Sequence, residues 1–169
     1  PGQDDPRHID WNVTARTTEV HVRDVVADRE LETWALIDAS ASMDFGTATM
    51  EKRDLAAAAA VAIGRLAQRC GDRFGAYVLG PSGVRASPVA NGRAHLLGVL
   101  RALATADRVA PGASVPPLSE GIASLSRHRR RGLRVIVSDF LDADVGAPGP
   151  PEWADAMRRL GATQRVLAI

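Results

Sequence analysis

Asp38, Ser40 and Ser42 stand two residues apart at the end of an apolar run, Trp34-Ala35-Leu36-Ile37. Where backbone stays extended, alternate side chains project to the same side, so one carboxylate and two hydroxyls would converge. Hard oxygen donors of this kind suit Mg²⁺, Mn²⁺ or Ca²⁺. The plainer alternative is a polar strand-to-helix turn whose serines cap the next helix. A second carboxylate, Asp139, follows another apolar run that begins at Leu133. In open α/β sheets, ligands bind beyond the carboxyl ends of strands where the strand order reverses. If these two strands are neighbours at that point, Asp38 and Asp139 face one crevice, and helix N-termini point at it. Two aspartates without a cation between them repel, which would push one of them up in pKa.

The elements needed to hold these residues can be read in order. Strand 33–38 carries the first aspartate. Thr47 or Thr49 can cap a helix over 51–69 with Leu55, Ala59, Ala62, Leu66 and Cys70 inward and Lys52 outward. Gly71-Asp72 ends it. Strands are expected over 73–79 and, after Gly80-Pro81-Ser82-Gly83, over 84–89. A helix over 93–104 turns Leu96, Leu97, Leu100 and Leu103 inward, and another starts at Pro116 or Pro117 and runs to about Arg127. Strand 133–137, a helix over 151–160 and strand 165–169 complete the set. Strands alternating with helices give an α/β fold with a mostly parallel central sheet flanked by helices.

Before this lies a polar, turn-rich arm over residues 1–17 with Ile9 and Trp11 as apolar anchors, then a strand-like stretch over 19–27. His8 lies near Asp5 and Asp10, but that spacing is not diagnostic of a metal site. The expected division is therefore an arm and strand over 1–32 and an α/β domain over 33–169. The chain starts without Met and stops inside the apolar run Val166-Leu167-Ala168-Ile169, so it is expected to be a piece of a longer protein. An unpaired apolar edge there would favour self-association.

A length of 169 residues suits one core, and a net charge of +1 argues against a general nucleic-acid or membrane-surface binder. A single cysteine, Cys70, excludes an internal disulfide framework and a thiolate zinc site; its expected role is a small buried residue. The basic cluster Arg127-His128-Arg129-Arg130-Arg131 suits a helix C-terminus, with docking of an acidic partner as the alternative. No stretch is long and apolar enough for a membrane span, and a cytoplasmic location is expected, with a parent that could be membrane-associated.

The chain resembles von Willebrand factor A-type domains, whose metal-ion-dependent adhesion site uses Asp-x-Ser-x-Ser, a later Thr and a later Asp. More narrowly, it resembles the bacterial "domain of unknown function 58" family. That likeness rests on Pro1-Gly2-Gln3-Asp4-Asp5-Pro6-Arg7-His8-Ile9-Asp10-Trp11, Thr14-Ala15-Arg16-Thr17, Asp38 through Gly46, Arg131-Gly132-Leu133 and Ser138-Asp139-Phe140-Leu141. The resemblance implies a von Willebrand A-like, Rossmann-like fold and partnership with a MoxR-type AAA+ ATPase in chaperone-like maturation of other proteins. It carries over Asp38, Ser40, Ser42 and Asp139 as ligands of Mg²⁺ or Mn²⁺. Aligning Leu118, Ile122 and Leu125 puts Pro116 where the family often has Thr, and Ser114 is the nearest hydroxyl. The cation is accordingly expected to bind weakly.

Three functions compete on these residues. A binding module would hold a cation with one position open for an acidic residue of a protein partner, with no catalytic group required. A degenerate scaffold would keep the fold and bind partners without metal. A metal-assisted phosphohydrolase would use Asp38 as nucleophile or ligand, and would want a second acid soon after it and a Lys or Arg for phosphate. The first is the expected one; the chain is not expected to be an enzyme.

Overall fold

The structure is a computed structural model and describes residues 9–17, 19–21, 31–47, 49–110, 114–141 and 148–169. The strand expected over 19–27 and the reading of His8 lie outside these residues, apart from 19–21. Among the described residues, strands β1 (Glu32–Asp38), β2 (Arg73–Gly80), β3 (Gly83–Ala90), β4 (Leu133–Val137) and β5 (Arg165–Ala168) form one sheet in the order β3-β2-β1-β4-β5. Only β3 runs antiparallel, as the hairpin partner of β2. Helices α1 (Trp11–Thr17), α2 (Lys52–Arg69), α3 (Arg93–Ala104), α4 (Leu118–Ser126) and α5 (Ala154–Gly161) complete the described elements, with a 3-10 turn over Ala41–Asp44. The expected mostly parallel α/β sheet, flanked by helices, is the fold observed.

Every residue of β1 is buried, as a central parallel strand covered on both faces requires. Its side chains alternate between two cores. Ala35 and Ile37 pack with α2 and α3, and Trp34 and Leu36 pack with α4 and α5. Between β1 and β2 the chain crosses by α2, and β4 then pairs on the other side of β1. The strand order therefore reverses beside β1, between it and β4.

Several local expectations are corrected. The arm is not irregular throughout: Trp11–Thr17 is helical, and Trp11 is exposed rather than an anchor. In α2 the buried stripe is Ala56, Ala60, Gly64 and Ala67, while Leu55 and Leu66 face outward and Cys70 is exposed. Bulky leucines mark a core only where the neighbour is distant. Here the helix lies close on the sheet: a Cβ at Gly64 would crowd the Phe74 ring of β2 at 3.3 Å and overlap the Leu96 side chain of α3. In α3 the inward residues are Leu96, Val99 and Leu103, with Leu97 exposed.

The end of the sheet opposite Asp38 is tied by Arg134, which has no solvent exposure. Its guanidinium donates to the carbonyl oxygens of Glu32 (2.9 Å), His128 (3.0 Å), Arg130 (2.7 Å) and Leu133 (3.3 Å). The basic segment after α4 is thus folded over Arg134 and paired outward, with Arg130 3.2 Å from Glu32. Gly132 lies so close to β1 that a Cβ there would overlap the Glu32 carbonyl. His128 stacks on Trp34 with ring centroids 3.6 Å apart, and its Nε2 lies 2.7 Å from the Tyr77 hydroxyl. Burial lowers the His128 pKa below its ordinary value, and the charges of Arg134 and Arg127 add to that against an opposing Glu32.

Arg134→Met should strand four carbonyls, and a loss of about 3 kcal/mol or more in denaturant unfolding is expected. Arg134→Lys should not restore it, because an ammonium cannot reproduce the guanidinium fork. A loss below about 1 kcal/mol would contradict this role. Because His128 has a lower pKa in the fold, the unfolded chain takes up its proton at higher pH, near about pH 6.5, so its contribution is kept above that pH and lost as pH falls. Denaturant midpoints measured from about pH 7.5 down to 5.5 should fall, and His128→Gln should flatten that slope. An unchanged slope in the variant would assign the acid sensitivity elsewhere.

Candidate functional site

The register of β1 with β4 pairs Ile37 with Val137 and so sets Asp38 beside Ser138. Asp38 is buried, at 4% exposure, and both its oxygens are engaged. Oδ1 accepts the Ser40 backbone N–H at 2.8 Å, and Oδ2 accepts the Ser138 hydroxyl at 2.6 Å. Ser138 Oγ in turn accepts the Phe140 N–H at 3.0 Å. Phe140 sits at φ +55°, a conformation that bulky residues adopt only when their surroundings impose it. Its ring meets Trp153 edge-on at 5.2 Å, and Trp153 Nε1 donates to its carbonyl at 3.2 Å. The segment after β4 is thereby pinned, and Asp139 lies at its base.

Ser40 and Ser42 link the two aspartates, through the Ser40 N–H on Asp38 and through their hydroxyls towards Asp139. Ser40 Oγ lies 3.1 Å from Ser42 Oγ, and Ser42 Oγ donates to Asp139 Oδ1 at 3.1 Å. Asp38, Ser40 and Ser42, expected to converge from their spacing, and Asp139, expected beside them as the end of a neighbouring strand, form one hydrogen-bonded group beyond the carboxyl ends of β1 and β4. Ser114 is exposed and stands outside this group, and Pro116 is half-buried.

Lys52 was expected to face outward on its helix, and it does not. Its Nζ lies 2.7 Å from Asp139 Oδ2. The cause is the loop before α2. Gly46 pairs with Glu51 across a short antiparallel bridge, so closely that a Cβ at Gly46 would overlap the Met50 carbonyl. The Lys52 N–H donates to the Phe45 carbonyl at 3.0 Å. The helix cap is Glu51 in a reciprocal capping box with Asp54, rather than Thr47 or Thr49. These contacts start α2 at Lys52 and aim its first side chain into the crevice. The next residue, Arg53, holds Asp44 at 2.6 Å and donates to the Ala39 carbonyl at 3.3 Å, which fixes the 3-10 turn carrying Ser42.

The electrostatics follow from these partners. Burial by itself would raise the Asp139 carboxyl. Hydrogen bonds from Lys52, the Leu141 N–H and Ser42, with the Lys52 charge, outweigh it and hold Asp139 below its ordinary value. The upward shift expected from two neighbouring aspartates is therefore reversed at Asp139, because Lys52 supplies a cation. As a donor set, two carboxylates and two hydroxyls fit a hard divalent cation in kind, and four oxygens leave two octahedral positions for water or a partner.

Lys52, Arg53 and Ser138 were missed as parts of this site. Lys52 is the one lysine in a chain whose other 20 basic residues are arginine, and it begins a helix whose N-terminus was expected at the crevice. Those two signals together could have placed it.

Comparison with known proteins agrees with this architecture. The chain is 48% identical to the uncharacterized protein Rv1480 of Mycobacterium tuberculosis over 170 residues, which is 100% of this chain and 51% of that protein. The same figures hold for the uncharacterized protein Mb1516 of Mycobacterium bovis. The chain thus spans about half the length of the curated relatives it matches. Among solved structures, proximal thread matrix protein 1 from the mussel byssus aligns with a TM-score of 0.53 at 14% identity, over 82% of this chain and 36% of that one, a likeness of fold alone. The SpRpn10 VWA domain aligns with a TM-score of 0.47 at 12% identity, over 83% of this chain and 88% of that one. The family described as "Protein of unknown function DUF58" matches residues 1–169, and the chain belongs to that family.

Proposed function

We propose that this chain is a non-catalytic protein-interaction module whose crevice between β1 and β4 receives an acidic side chain of a partner through a bound divalent cation. Asp38, Ser40, Ser42 and Asp139 would hold Mg²⁺ or Mn²⁺, with Ser114 of the loop before α4 a further candidate. The cation would supply the positive charge that attracts the partner's carboxylate. The observation that carries this reading is the hydrogen-bonded chain that runs from Asp38 through the Ser40 N–H, then through the hydroxyls of Ser40 and Ser42, to Asp139, set at the reversal of strand order. Family membership supports a MoxR-type AAA+ ATPase as the partner and chaperone-like maturation of other proteins as the process. The apolar residues Leu167 and Ile169 at the exposed edge of the sheet support self-association of the isolated chain.

Lys52 favours one feature of a second reading, because a phosphohydrolase needs a cation for phosphate. Other features oppose it. Asp38, the residue that would attack, is buried with both oxygens hydrogen-bonded, and position 40 carries a hydroxyl instead of a second acid. Asp44, the next carboxylate along the chain, is held by Arg53.

The metal arm is tested by calorimetric titration of Mg²⁺ and Mn²⁺. Weak binding is expected in the wild type, none in Asp38→Ala, and tighter binding in Pro116→Thr, which adds an oxygen donor. Micromolar Mg²⁺ affinity in the wild type would show that Pro116 removes no ligand. The partner arm is tested by titrating a MoxR-type ATPase with this chain. Omitting Mg²⁺ or introducing Asp38→Ala should each weaken binding by about tenfold or more. Binding indifferent to both would favour the metal-free scaffold.

A further inference from the structure

The crevice carries its own cation. Arg53 and Arg108, the other basic groups around it, are committed elsewhere: Arg53 to Asp44 at 2.6 Å and Arg108 to Glu51 at 2.8 Å. Lys52 alone of these touches the oxygen group, at 2.7 Å from Asp139 Oδ2, while Asp139 Oδ1 receives Ser42. Its side chain is 38% exposed, against 12% for Asp139. An ammonium on a flexible four-carbon stem at that exposure can swing into water and regain full hydration.

A divalent cation using Asp139 meets Lys52 as a competitor in two ways. The ammonium occupies one carboxylate oxygen, and like charges a few ångströms apart repel strongly in a partly buried site. We propose that Lys52 is an internal counter-cation that competes with divalent metal for Asp139 and so sets the metal affinity of the crevice. This rests on the reading of the crevice as a cation site. Without metal, Lys52 neutralises Asp139 and keeps the group assembled. With metal, Lys52 leaves Asp139 and its charge moves to the rim, where a partner's acidic side chain would arrive.

Lys52 is the only lysine in the chain, so labelling with ¹³C-lysine gives one side-chain signal set. In wild-type protein, the Lys52 Cε resonance is expected to move during Mg²⁺ titration towards the position of a freely hydrated lysine, following the same isotherm as calorimetry. Lys52→Met, which keeps the stem and removes the charge, should bind Mg²⁺ about tenfold more tightly or better. Lys52→Arg, which keeps the charge, should bind no more tightly than wild type. Binding of Mg²⁺ by the wild type with an unmoved Lys52 signal, or equal affinity in wild type and Lys52→Met, would overturn the competition and leave the cation site standing. Absence of binding in wild type and Lys52→Met alike, at millimolar Mg²⁺, would overturn both. Where the wild type binds Mg²⁺, its spectrum decides the matter alone, and Lys52→Gln repeats the affinity comparison if Lys52→Met fails to fold.

Discussion

The pairing of β1 with β4 is the constraint on which the rest depends. Two strands far apart in sequence lie parallel and in register, so the residues that end them meet on one edge. The 2.6 Å bond from Ser138 to Asp38 closes that edge, and it does so between groups that are both buried. A one-residue slip would turn every β1 side chain to the opposite face and exchange its two cores. Trp34 and Leu36 would then face α2, whose buried stripe is Ala56, Ala60, Gly64 and Ala67. The packing of the two faces therefore specifies the position of Asp38 as firmly as the local chain does.

The same economy appears at both ends of the sheet. At the far end, Arg134 holds the approach to β4 through backbone carbonyls, and Gly132 permits the close contact with β1. At the crevice, Gly46 permits the tight bridge that starts α2, and Arg53 anchors the turn behind Ser42. These residues touch no candidate ligand in the oxygen group. They fix the backbone on which Asp38, Ser42, Lys52 and Asp139 are mounted, which is what precise placement of charged side chains demands.

Much of this was legible in the sequence where a residue pattern has one physical solution. A fully apolar run such as Trp34-Ala35-Leu36-Ile37 suits a strand covered on both faces, and its carboxylate ending matched that of the strand before Asp139. What was not legible depended on distances between elements. Leu55 and Leu66 read as core because leucine is large and apolar, yet the close approach of α2 to the sheet selects alanine and glycine. Cys70 was exposed for the same rotation of the helix. The direction of Lys52 depended on the bridge between Gly46 and Glu51, a contact that no periodicity encodes. The downward pKa of Asp139 followed from that one missed direction.

The cation site proposed here is formed by the oxygens of Asp38, Ser40, Ser42 and Asp139. Anomalous diffraction from crystals of the chain soaked in Mn²⁺ tests it most directly. A peak in contact with oxygens of Asp38, Ser40, Ser42 and Asp139 is expected, with Lys52 moved away from Asp139. Mn²⁺ bound elsewhere on the chain, or a crevice with Lys52 still on Asp139 and no peak at saturating Mn²⁺, would contradict it.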